Sequence, residues 1–239
     1  MEINPTINEI ENLIQKKLKK YKKKHILIFV EGIAGIGKTS FANYLKKKIR
    51  IKKKIYLISK DIFLKSREQR INITNKMKNN KYKNQNQIHY DQDKIKKFVD
   101  IVCDNIKIKN KFKYLYDRKS GKNNLEINFR FSNNSIIIIE GLYISEDFKS
   151  KNIDAIKILI ETDVYKSISE KIRRIRDKKI SIYNVIKEYI NIHLISFVQY
   201  LQKNKFNLFV VYKNKRIYIS KKSKKKQIIE IYKFIQQHK

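Results

Sequence analysis

The sequence predicts an α/β fold of the P-loop NTPase type, a parallel sheet flanked by helices, with a small β-hairpin and lid region on one side. Three observations carry this. The first is a short apolar run, His25–Val30, followed by Gly32-Ile33-Ala34-Gly35-Ile36-Gly37-Lys38-Thr39 and then by a helical pattern that sets Phe41, Tyr44 and Leu45 on one face. The second is Ser135-Ile136-Ile137-Ile138-Ile139-Glu140-Gly141, four isoleucines closed by an acid, the signature of a central strand buried on both faces. The third is the succession of further short apolar runs, Ile55–Ser59 and Ala155–Glu161, between segments of helical periodicity.

The glycine stretch fits the phosphate-loop pattern, glycine, four residues, then Gly-Lys-Ser/Thr. The chemistry requires a strand, a loop and a helix in that order. Backbone N–H groups and the positive helix end surround a polyphosphate, and glycines let the backbone turn and come close. The chain has five glycines, and three of them fall here. Residues Gly32, Ile33, Ala34, Gly35, Ile36, Gly37, Lys38, Thr39 and Ser40 are therefore expected to hold the phosphates. Lys38 would reach the β- and γ-phosphates, and the Thr39 hydroxyl would ligate Mg²⁺.

Upstream, residues 2–24 read as a helix with Ile7, Ile10, Leu13, Ile14, Leu18 and Tyr21 at three- and four-residue steps and Pro5 near its start. Downstream, the strand Ile55–Ser59 ends at Lys60-Asp61-Ile62-Phe63. Asp61 follows Lys38 by enough chain for a helix and a return strand, so its carboxylate falls at a strand's carboxyl end, where open α/β sheets place ligands. It is a candidate general base, or a group orienting a substrate hydroxyl; a turn aspartate is the alternative. Residues 64–87, polar and rich in Asn, Gln and Lys, read as a flexible lid or insertion.

Asp93 is placed to cap a helix over 94–108 whose inner face is Ile95, Phe98, Val99, Val102 and Ile106; Asp91 is less easily explained as a cap. Phe112–Tyr116 and Leu125–Phe131 alternate as two strands of a β-hairpin around Asp117–Gly121. Glu140, closing a buried strand beside a phosphate loop, is expected to serve Mg²⁺ directly or through water. After Ala155–Glu161, Thr162-Asp163 reads as a helix cap. The helix that follows carries Arg173, Arg174 and Arg176, three of only nine arginines in a chain with 48 lysines. That clustering suggests planar phosphate recognition, with Arg173 and Arg176 on one side. A long helix over 183–203, with His193 at the core edge, two short strands (Phe206–Tyr212, Arg216–Ile219) and a final helix complete the reading. The domains expected are an N-terminal helical extension (1–24), one α/β domain (25–219) and a C-terminal helix (220–239) packed on it.

A net charge of +35 draws nucleic acids and anionic surfaces at low salt without specificity; the lysines are dispersed, as on a solvated surface. One cysteine, Cys103, excludes an internal disulfide, and the four histidines lack metal-ligand spacing. Apolar runs are far shorter than the ~20 residues of a membrane span, and no signal peptide is legible, so a cytoplasmic protein is expected, with no membrane partner.

The order of motifs resembles the uridine–cytidine kinase family, within the phosphoribulokinase and uridine kinase group, over roughly residues 26–212. That order is the phosphate loop, Asp61 in an Asp-x-Phe context, Tyr90-Asp91, Tyr116-Asp117, Glu140-Gly141, then an arginine-rich helix. The resemblance implies ATP and Mg²⁺ as cofactors and a nucleoside, uridine or cytidine, as small-molecule acceptor. It implies that Lys38 and Thr39 act in the phosphate loop and that Asp61 activates the sugar 5′-hydroxyl. Phe63, Asp91 and Tyr116 would lie near the nucleoside, Glu140 would serve Mg²⁺, and the lid residues Arg173 and Arg176 would clamp phosphates. Catalytic roles thus fall to Asp61, Lys38, Arg173 and Arg176. The family is often oligomeric, although no interface is legible. Departures fall on the substrate side. Leu64 stands where the family has tyrosine, and Gln92-Asp93 shortens a His-Pro-Asp stretch. Arg118 and Gly121 replace an aromatic and a histidine, and Lys178-Lys179-Ile180-Ser181 replaces an Arg-Gly-Arg turn. From the residues alone the expectation is a P-loop kinase of a small-molecule hydroxyl. The alternatives are another sugar or vitamin alcohol, a nucleic-acid-associated ATPase or polynucleotide kinase, and a relative that binds nucleotide without turnover.

Overall fold

A computed structural model describes residues 5–21, 24–77, 87–104, 110–161, 163–173, 181–213, 216–219 and 224–238. Its centre is a six-stranded sheet. The first strand, β1 (Ile26–Glu31), lies between β5 (Ile136–Gly141) and β6 (Ile156–Ile160), with β2 (Ile55–Ser59) outside β5. All of these pair in parallel, and β7 (Leu208–Lys213) extends the parallel run beyond β6 before β8 (Arg216–Ile219) turns back antiparallel as the edge. The reason β1 and β5 are central is in their composition. Every residue of both strands is buried, which only a strand covered on two faces achieves.

Period-two alternation splits these strands between two cores. Ile26, Ile28, Val30, Ile136 and Ile138 face one layer with α2 (Lys38–Lys48), the N-terminal helix α1 (Pro5–Lys20) and the C-terminal helices α8 (Ile195–Lys203) and α9 (Lys224–Gln237). Leu27, Phe29, Ile137 and Ile139 face the other, with α4 (Gln92–Cys103), the short α5 (Ile144–Asp147) and an antiparallel hairpin, β3 (Asn110–Tyr116) with β4 (Asn123–Phe129). The N-terminal helix is not an appendage. Its Ile7, Ile10 and Ile14 are buried in the first core, as are Ile231, Phe234 and Ile235 of α9.

Several local expectations change. Residues 64–87 are not all irregular: α3 (Arg67–Met77) forms where Ser66 and Gln69 cap each other, Ser66 Oγ accepting from Gln69 N–H and Gln69 Oε1 accepting from Ser66 N–H. Asp91, not Asp93, caps α4, its Oδ1 accepting from Lys94 N–H at 3.1 Å. The long helix over 183–203 is three pieces, α7 (Ile182–Glu188), a π-helical segment (Tyr189–Leu194) and α8. Helix α6 (Val164–Arg173) is capped by Asp163, which accepts from Lys166 N–H at 3.0 Å; Thr162 lies outside the described residues, as do Ile106, Arg174 and Arg176. No helix among the described residues is long and apolar enough to cross a membrane.

Candidate functional site

The glycine loop spans from the end of β1 to the start of α2. Gly35 and Gly37 take φ of 81° and 99°, left-handed values that a side chain would strain. The apolar loop residues anchor it: Ile33, before Gly35, and Ile36, between Gly35 and Gly37, are buried in the core. From outside, α6 supports the apex. Ser167 Oγ donates to the Ala34 carbonyl, and Tyr189 of the π-helical segment hydrogen-bonds Ser167 in turn. A Cβ at Gly35 would stand 3.1 Å from the Ser167 carbonyl and from Glu170 Cβ, so glycine is needed there for space as well as for φ. The loop thus leads from the end of β1 into the start of α2, the strand–loop–helix order in which helix N-termini bind anions.

Lys38 Nζ folds back to donate to the Ile33 carbonyl at 2.9 Å, over the loop. Thr39 Oγ1 donates to Glu140 Oε1 at 3.1 Å. The sheet register makes that contact: Glu140 pairs with Val30 of β1 on one side and Ser59 of β2 on the other, so it reaches the same carboxyl edge from which the loop departs. Burial raises the Glu140 carboxyl above the ordinary range, opposed chiefly by hydrogen bonding from Ser59 and by the nearby Lys38 charge. Asp61 sits in a one-turn 3₁₀ segment (Lys60–Phe63) directly after β2, on that same edge. Its Oδ1 accepts from Tyr90 O–H at 3.3 Å. Lys38, Thr39, Glu140 and Asp61 thus converge from three adjacent strand ends.

Three other residues expected on the acceptor side, Phe63, Asp91 and Tyr116, have partners within the protein. Phe63 is 2% exposed and packs on Phe98 and Phe112, inside the second core. Asp91 caps α4 and pairs with Lys94 Nζ at 2.9 Å, which lowers its pKa against the opposing effect of burial. The Tyr116 hydroxyl accepts from Arg70 Nη2 at 2.8 Å, and that guanidinium lies 4.7 Å from the Tyr116 ring centroid. Arg173, exposed at the end of α6, pairs with Glu170 at 2.9 Å; Arg176 lies outside the described residues. Ser40 is exposed in the first turn of α2.

Sequence reasoning missed two features around this edge, Glu31 and Lys60. Glu31, the last residue of β1, is fully buried and accepts from Ser145 N–H at 3.1 Å, from Ser145 Oγ at 2.7 Å and from Tyr200 O–H. Burial raises its pKa, and those donors oppose the shift. An acid closing an apolar run was the signal at Glu140, and the same signal stands at Glu31 in the sequence. Lys60 is buried and ion-paired with Asp147 at 2.6 Å; nothing in a lysine-rich chain marks it. His193, on the π-helical segment, has its pKa pushed well down, first by burial and then by the Lys171, His89 and Lys38 charges.

No protein-family model matches the sequence, and no curated protein sequence matches it. Solved structures do share the fold. The chain is similar to the YGR205w protein at a TM-score of 0.56 and 16% identity, over 89% of this chain and 95% of that one. It is similar to a protein described as a possible uridine kinase from Bacillus stearothermophilus, at a TM-score of 0.55 and 14% identity, over 84% of this chain and 98% of that one. It is also similar to D-glycerate 3-kinase from Cryptococcus neoformans, at a TM-score of 0.52 and 10% identity, over 91% and 100%. These likenesses show that the α/β fold is shared.

Proposed function

We propose that the protein is a kinase that uses ATP and Mg²⁺ to phosphorylate a hydroxyl of a small molecule, with the 5′-hydroxyl of a nucleoside, uridine or cytidine, as the leading acceptor. The observation that carries this is the convergence of Lys38, Thr39, Glu140 and Asp61 on one edge of the sheet. In this reading the loop amides of residues 32–39 and the start of α2 bind the polyphosphate. Lys38 exchanges its bond to the Ile33 carbonyl for the phosphates. Asp61 orients the acceptor hydroxyl and takes its proton as the oxygen bonds to the γ-phosphorus and the bond to the β-phosphate bridging oxygen breaks. Arg173 and Arg176 would close over the phosphates, Arg173 leaving an exposed pairing with Glu170 that costs little to break.

Mg²⁺ fits the donors available. Thr39 Oγ1 and the Glu140 carboxylate are hard oxygens already in contact, and no cluster of three acidic, His or Cys side chains exists among the described residues to form a dedicated cage. One or two protein oxygens completed by phosphates and water is the usual coordination of this ion at such sites. When bound, Mg²⁺ supplies charge neutralisation on the phosphates.

A specific observation favours a second reading, another small-molecule alcohol as acceptor. Phe63, Asp91 and Tyr116, which the family resemblance assigns to the nucleoside, are here packed, ion-paired or hydrogen-bonded within the protein. The test is ATP-dependent phosphorylation across uridine, cytidine, glycerate, ribulose 5-phosphate, pantothenate and a 5′-hydroxyl oligonucleotide, with product read by mass. Uridine or cytidine monophosphate supports the leading acceptor; product from another small molecule alone keeps the mechanism and replaces the substrate. Labelled oligonucleotide assigns a role to the +35 charge. No transfer to any acceptor, with ATP bound, overturns the kinase reading.

A further inference from the structure

We propose that Tyr90 is a positioning residue for Asp61, and that the buried Lys60–Asp147 ion pair fixes Tyr90 from behind. The inference rests on the reading of Asp61 as the acceptor-side carboxylate. Asp61 stands on a single 3₁₀ turn, and a carboxylate there gains its geometry from what it touches. Tyr90 supplies that contact. Its ring is buried, its backbone bridges Leu64 on the far side of the same turn, and its O–H donates to Asp61 Oδ1 at 3.3 Å. One carboxylate oxygen is thereby held, and the other stays available to an incoming hydroxyl.

The support behind Tyr90 is equally defined. Lys60 Nζ lies 4.6 Å from the Tyr90 ring centroid, 2.6 Å from Asp147 Oδ2 and 2.8 Å from the Leu142 carbonyl it donates to. Both members of the ion pair are nearly inaccessible, with side chains 3% and 4% exposed. A desolvated cation over an aromatic face is a stronger contact than an exposed one. The fold makes room for it. A Cβ at Gly141 would stand 2.7 Å from Lys60 Cβ, so glycine after Glu140 is what lets the Lys60 stem pass β5. Burial, with the Asp61 charge next, pushes the Tyr90 phenol well above its ordinary pKa, so it stays a donor throughout the working pH range.

The test compares Tyr90→Phe, Asp61→Asn and the double variant with Mg-ATP and each acceptor of the panel above. A hydrogen bond to a charged group is at stake, so Tyr90→Phe lowers kcat about ten-fold while KM for ATP stays unchanged. In the Asp61→Asn background the same change has no further effect, because the group it orients is gone. The Lys60→Met/Asp147→Leu pair, which removes both charges together, keeps the fold and lowers kcat in the same sense. Wild-type kcat in Tyr90→Phe beside an inactive Asp61→Asn overturns the positioning role alone, as do effects that multiply in the double variant. Wild-type turnover in Asp61→Asn overturns the reading on which it rests.

Discussion

Replacing Lys60 with Met removes the cation that neutralises Asp147 in a site from which water is excluded. The side chains are of similar length, so the loss is electrostatic more than steric. Breaking a buried pair by removing one partner costs about 3–5 kcal/mol, because the remaining charge is left uncompensated. The Leu142 carbonyl also loses its donor. Against a typical stability of about 5–15 kcal/mol this is a large fraction. For a chain of this size each 1 kcal/mol moves Tm by about 2–4 °C, so the variant should melt about 6–20 °C below wild type. The deficit has a sign in pH. Burial already raises the Asp147 carboxyl above 3.8, opposed by the Lys60 charge. Without Lys60 it rises further, so the folded variant holds a proton that the unfolded chain releases. Stability of the variant therefore falls as pH rises from about 4 through the folded value, and the gap to wild type widens from acid to neutral pH. Urea unfolding at pH 5 and pH 8 measures it. Asp147→Leu added to Lys60→Met should recover most of the loss, since an apolar replacement of a buried pair is often neutral. A deficit below about 1 kcal/mol, or a double variant worse than the single, would refute the reasoning.

Other outcomes are expected. Lys38→Ala and Asp61→Asn should each cut turnover by roughly two or more orders of magnitude, with Asp61→Asn sparing ATP affinity by calorimetry. Ser167→Ala withdraws the hydroxyl under Ala34 and should weaken ATP binding about five- to ten-fold by the same assay, with the far-UV spectrum unchanged. Gly35→Ala places a methyl against Ser167 and Glu170 at a left-handed φ, and should abolish measurable ATP binding. His193, its folded pKa well below 6.5, contributes stability that is whole above 6.5 and lost as pH falls below it; His193→Gln should flatten that acid-side loss in thermal melts from pH 7 to 5.

The sequence by itself determined the parts whose chemistry is local. A glycine loop between a buried strand and a helix reads directly, because φ, close approach and N–H direction are properties of consecutive residues. The run of isoleucines ending in Glu140 declared a central strand with an acid at its edge, and the alternation in 112–116 and 125–131 declared the hairpin, which the structure forms over 110–116 and 123–129. What only the tertiary structure decided are relations across the chain. Glu140 meets Thr39 because β5 inserts between β1 and β2, a strand order no local pattern encodes. Asp91 became a cap and Phe63 a core residue because the 3₁₀ turn and α4 pack as they do, competing with any role at the acceptor. Lys60 is one of 48 lysines, alike in sequence and unlike in environment. Burial beside Asp147 is a property of the fold around it, and the free energy of a charge depends on that surrounding more than on the residue that bears it.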